Sequence, residues 1–61
     1  MTVTFKLELA DGQPAEPPSI RTGVYVWRPG DTIPIGAART LRVVRVRNED
    51  EPPVLVVEDL D

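Results

Sequence analysis

The stretch TLRVVRVRNEDEPPVLVVEDL (residues 40–60) decides the fold, because two runs rich in β-branched residues flank a polar interval that neither run can continue through. Neither run carries a helical period, and the interval Asn48-Glu49-Asp50-Glu51-Pro52-Pro53 has the charge and proline content of a loop. The pattern predicts a hairpin with strands at 40–47 and 54–60 and an acidic loop at 48–53. Pairing Arg47 with Val54 sets Val46 against Leu55, Val44 against Val57 and Arg42 against Asp59. Val44, Val46, Leu55 and Val57 then share one face, which is expected to be core. The other face carries Leu41, Val43, Arg45, Val56, Glu58 and Leu60, a mixture of apolar and charged groups. Apolar residues on both faces imply a strongly bent strand of a small barrel, or a face covered by a partner.

Working back toward the amino terminus, Val3, Phe5, Leu7 and Leu9 alternate with Thr2, Thr4, Lys6 and Glu8 at a strict period of two, which predicts a strand with one buried face. Ala10-Asp11-Gly12-Gln13 follows as a turn. Pro14, Pro17 and Pro18 deny ladder donors to the next segment, so 13–19 reads as a loop of polyproline II character. Val24-Tyr25-Val26-Trp27 has the composition of a second strand, at 23–28. Arg28-Pro29-Gly30-Asp31 fits a type II turn, with Asp31 as the acceptor that closes it. A short strand over 32–35 is demoted to an edge or a bulge by Pro34, and Gly36-Ala37-Ala38 turns the chain again.

No segment of ten residues has helical period. The expected fold is therefore all-β: a single small domain over 1–61, an antiparallel, partly open barrel of about five short strands, SH3-like or OB-like in architecture. A chain of 61 residues buries only roughly 60% of the surface its unfolded form exposes. It has no cysteine and no histidine, so disulfides and most structural metal sites are closed to it, and self-association or an unusually regular sheet is the remaining device for a lean core. Residues 1–6 carry no basic or apolar leader, and no apolar run approaches the ~20 residues of a membrane span. The expectation is a cytoplasmic chain with no membrane role.

The net charge of −3 conceals a segregation. The middle of the chain holds Arg21, Arg28, Arg39, Arg42, Arg45 and Arg47 against Asp31 alone, whereas the carboxy-terminal segment holds Glu49, Asp50, Glu51, Glu58, Asp59 and Asp61 with no base. Such blocks either pair in space or occupy separate faces.

Catalytic groups are sparse. Ser19 sits in the proline-rich segment with no activating motif, and Glu49, Asp50 and Glu51 are consecutive in a loop rather than spaced around a cation. The expectation is no enzyme, no cofactor and no metal. Binding is the open question, and the candidate residues are Tyr25, Trp27, Arg28, Arg42, Arg45 and Arg47. As core groups, Tyr25 and Trp27 supply a lean interior with its largest side chains, and the arginines pair with the acidic carboxy-terminal strand. As binding groups they form a stacking and phosphate-contact surface for single-stranded nucleic acid, or a groove for a proline-containing peptide. Arg42 and Arg45 cannot share a regular strand face unless a bulge intervenes. Pro14-Ala15-Glu16-Pro17 spells a PxxP ligand without the basic residue such ligands use, and a rigid connection explains it as well. The reading that absorbs most of these features is a non-enzymatic protein-interaction or assembly module that self-associates through an edge strand or the second apolar face of the carboxy-terminal hairpin, with single-stranded nucleic-acid binding as the alternative.

Overall fold

The computed structural model describes residues 1–60; Asp61, counted above among the carboxy-terminal acids, lies outside the described residues. Five strands form one sheet: β1 (Val3–Leu9), β2 (Pro14–Thr22), β3 (Thr32–Ile35), β4 (Arg39–Arg47) and β5 (Val54–Asp59). Their order across the sheet is β2-β1-β5-β4-β3, and the sheet curls into a half-barrel. This is the all-β, single-domain, partly open barrel of five strands that the alternation patterns predict.

The sheet is mixed, not wholly antiparallel. β1 pairs with β5 in parallel, Leu7 opposite Leu55 and Leu9 opposite Val57, while every other pairing is antiparallel. The cause is the way two local hairpins join. β1–β2 and β4–β5 each close on their own turn, and the strands that meet in the middle are the first and last of the chain. No short connection dictates their direction.

One face of the curl is the core. Phe5, Leu7, Ala15, Ile33, Leu41, Val43, Leu55 and Val57 pack together there, with Val3, Leu9, Ile20, Ile35, Val46 and Trp27 against them. Phe5 stands opposite Ile20 on β2, and Ile33 opposite Leu41 on β4, so each strand contributes its inward parity to the same layer.

Three local expectations are corrected. The 13–19 segment is not a loop beyond Gln13: residues 14–19 are the first part of β2, whose register against β1 slips between Lys6 and Glu8, leaving residues 15–18 outside regular pairing. Pro17 and Pro18 fall in that unpaired stretch, where no ladder bond needs their missing donors, and an edge strand tolerates proline. The 23–28 segment, expected as a strand, joins no ladder. β2 and β3 are the two opposite edges of the sheet, and the chain between them spans from one edge to the other with Trp27 packed against the core rather than pairing with either. The hairpin register holds at Arg47–Val54 and Val46–Leu55, then breaks at a bulge between Val43 and Arg45. Val43 faces Val57, Arg42 faces Glu58 and Leu41 faces Asp59. Leu41 and Val43 are therefore core, and Val44, expected to be core, is 41% exposed.

The turn at 28–31 explains where the bulge sits. Gly30, at φ 98°, takes the left-handed conformation that the third position of a type II turn requires. The Asp31 amide donates to the Arg28 carbonyl at 3.0 Å, and the Asp31 side chain accepts from the Arg28 amide at 2.9 Å. The closed turn then binds β4 through Gly30 N–H to the Val43 carbonyl at 2.8 Å and Val43 N–H to the Asp31 carbonyl at 2.7 Å. Both polar groups of Val43 are taken by this turn, and the extra residue is accommodated immediately after it.

Candidate interaction surface

The bulge decides the arrangement of the arginines. Because one residue is extra, Arg42, Arg45 and Arg47 stand opposite Glu58, Val56 and Val54 in turn, all on the face of the sheet away from the core. Lys6 stands beside Val54, Glu8 beside Val56, and Arg21 beside Thr4 on that same face. The blocks of opposite charge meet here. Arg42 pairs with Glu58, and Arg47 reaches Glu8 at 3.1 Å. Asp50 lies 3.2 Å from the Arg47 Nε, although that Nε makes no hydrogen bond of good geometry. Arg39 pairs with Asp59 at 2.8 Å on the opposite parity; this is the partner that an unbulged register assigns to Arg42. Among the described residues Arg45, Arg21, Arg28 and Lys6 have no ion-pair partner.

Val54 and Val56 lie on this outer face, outside the core layer, yet they are 2% and 5% exposed. The stems of Lys6 and Arg47 flank Val54, those of Glu8 and Arg45 flank Val56, and long charged side chains bury aliphatic surface while keeping their heads in water. The second apolar face of the hairpin is thus covered by the chain itself.

The two aromatic candidates separate. Trp27 is half-buried against the core, with its indole N–H enclosed and without an acceptor among the described residues. Tyr25 faces solvent, and its hydroxyl donates to the Met1 carbonyl at 3.0 Å. The rings form no common platform. Arg28 begins the turn, exposed, with its backbone rather than its side chain engaged.

What remains open is the crossover itself. Val24, Tyr25 and Val26 are 48%, 53% and 69% exposed, and the exposed Met1 lies beside them. The sequence signal for this surface was the strand-like composition of 24–27 in a place where no strand forms. A second feature, without any signal in the sequence, is a cavity of about 330 Å³ lined by Leu9, Pro14, Ala15, Glu16, Arg39, Leu41 and Asp59. It lies at the other end of the half-barrel from the crossover, and none of the six candidate residues lines it. Among the described residues no three carboxylates converge as a metal site would need, and no helix is long and apolar enough to cross a membrane. No family model, curated protein or solved structure matches the chain.

Proposed function

We propose that this chain is a non-enzymatic protein-interaction module whose contact surface is the crossover segment Val24-Tyr25-Val26. The observation that carries the reading is the run of three consecutive exposed apolar side chains; the other large apolar side chains left exposed among the described residues, Met1, Val44 and Leu60, stand singly in the sequence. Val54 and Val56 are covered by charged stems, and both sheet edges contain proline, which blunts pairing there. A cytoplasmic setting belongs to the same reading, supported by the absence of cysteine. The test is a photo-crosslinking residue placed at Val26, compared with one at Glu49 in the acidic loop, in the source cell. Protein adducts at position 26 and not at 49 are expected. Equal labelling at both positions, or none at 26, overturns the reading.

The second reading is single-stranded nucleic acid on the outer face, favoured by the bulge that gathers Arg42, Arg45 and Arg47 on one side. Two of these three are already paired with carboxylates, and Trp27 is turned toward the core, which leaves Arg45, Lys6 and Arg21 to hold phosphates without a stacking pair. Titration with an oligonucleotide at low salt, read by anisotropy, separates the two readings. Salt-sensitive binding lost in Arg45→Glu favours this one.

A further inference from the structure

We infer that the partner of the crossover segment is a second copy of this chain, the two segments at 23–27 pairing as antiparallel strands about a two-fold axis through Tyr25. This rests on the interaction reading above and names its partner. Four observations converge on it.

The first is a mismatch between composition and conformation. Val24-Tyr25-Val26-Trp27 is built of the residue types that favour a pleated strand, yet the segment belongs to no ladder. The second is its backbone. Among the described residues, no hydrogen bond engages the amide or carbonyl of Gly23, Tyr25 or Trp27, while the Val24 amide is held by the Thr22 hydroxyl at 3.1 Å and the Arg28 amide by Asp31 at 2.9 Å. In an antiparallel strand the groups at 23, 25 and 27 point to one side. On that side every group is free among the described residues, whereas on the other side the Val24 amide is already held.

The third observation is self-complementarity. Pairing about Tyr25 sets Val24 against the partner's Val26 and Gly23 against the partner's Trp27, with Thr22 against the partner's Arg28; no like charges meet. Tyr25 exchanges both backbone bonds with the partner's Tyr25, and the Gly23–Trp27 pairs add theirs on either side. Because the contact is isologous it closes at two copies. The fourth is that the true edges compete poorly. β2 carries three prolines, and β3 is four residues long with Pro34 within it. The Tyr25–Met1 hydrogen bond already restrains the segment before a partner arrives, which lowers the ordering cost of association.

Five residues a side make a small interface, below the roughly 1,200 Å² of a stable complex, so the dimer is weak and concentration-dependent. Sedimentation velocity on the full chain from ~10 μM to ~1 mM, the weak limit of specific association, is expected to show a reversible monomer–dimer shift. The chain is short enough for chemical synthesis, and N-methylation at Tyr25 is expected to weaken the dimer at least tenfold. N-methylation at Val26, whose amide has the other parity, is expected to leave it within about threefold. The Tyr25 amide has no partner among the described residues, so an unchanged thermal midpoint at ~10 μM verifies that the fold is intact. A monomer at every concentration overturns the second copy as occupant. A dimer equally insensitive, or equally sensitive, to both methylations overturns the backbone pairing. If the chain stays monomeric while the crosslinker at Val26 still traps other proteins, this proposal falls and the interaction reading stands; if both fail, both fall.

Discussion

Arg47 on β4 and Glu8 on β1 meet at 3.1 Å across the intervening strand β5. Arg47 stands opposite Val54, and Glu8 stands opposite Val56, so the ion pair runs diagonally over both valines. The pair's own electrostatic contribution is small, under about 1 kcal/mol for a partly exposed pair. Its larger effect is to hold two hydrocarbon stems over aliphatic surface.

This ordering of effects is testable by separating charge from cover. Arg47→Met keeps the stem and removes the charge, and is expected to cost less than about 1 kcal/mol in urea unfolding. Arg47→Ala removes both and is expected to cost about 1–2 kcal/mol, in line with re-exposing part of two valine side chains. Glu8→Gln is expected to resemble the methionine variant. Equal costs for Met and Ala at position 47 would mean that charge, not cover, is what matters there.

The bulge makes an equally sharp prediction on adjacent residues. Val43 is buried at 1% exposure and Val44 is not, although the two are chemically identical and consecutive. Val43→Ala is expected to cost about 2 kcal/mol, as for a buried aliphatic truncation, and Val44→Ala to stay within about 0.5 kcal/mol. Chemical denaturation of the two variants decides it, and a regular, unbulged strand requires the reverse order.

The same residues mark how far the fold is legible in the sequence. Strand β1, strand β3, the turn at 28–31 and the closing end of the hairpin follow from local signals: period-two alternation, turn chemistry at Pro29-Gly30, and an acidic proline-bounded loop. The bulge does not, because Val43-Val44 offers two equally apolar residues, and the choice between them is made by the 28–31 turn bonding Val43 from a distance in sequence. The two mis-assigned segments share one cause as well. Proline content argues against a strand, and β-branched content argues for one, but edge position and the need to cross between edges decided 14–22 and 23–28. The candidate site was legible as residue types, with Tyr25 and Arg45 left available. Its division, with Trp27 turned inward and Arg42 and Arg47 paired, depends on the tertiary register.

The prolines of β2 should act as guards of its free edge. Pro14 and Pro18 are exposed, so replacing both with threonine restores two backbone donors and a strand-favouring side chain without disturbing the core. The variant is expected to keep its melting midpoint within a few degrees at ~10 μM and to aggregate at several-fold lower concentration, read by light scattering. Unchanged solubility would mean that the edge is protected by something other than its missing donors.

Trp27 provides the most direct test of the division between core and contact residues. Its ring lies against the core while its indole N–H is enclosed without an acceptor among the described residues, an arrangement that sets a gain against a penalty. Truncation to alanine removes the packing of a half-buried ring and is expected to cost about 2–3 kcal/mol, at or below the range for fully buried aromatic truncations. Phenylalanine keeps most of the ring and removes the enclosed donor, whose desolvation costs about 1–3 kcal/mol when unpaired. Trp27→Phe is therefore expected to be within about 1 kcal/mol of the parent, or more stable. Fluorescence of the parent should accordingly be blue-shifted and poorly quenched by iodide, and both readouts should be unchanged on adding oligonucleotide. A phenylalanine variant as unstable as the alanine one would show that the indole N–H has a partner and that the ring is positioned by it. A red-shifted, fully quenchable emission would return Trp27 to the exposed surface, beside Tyr25.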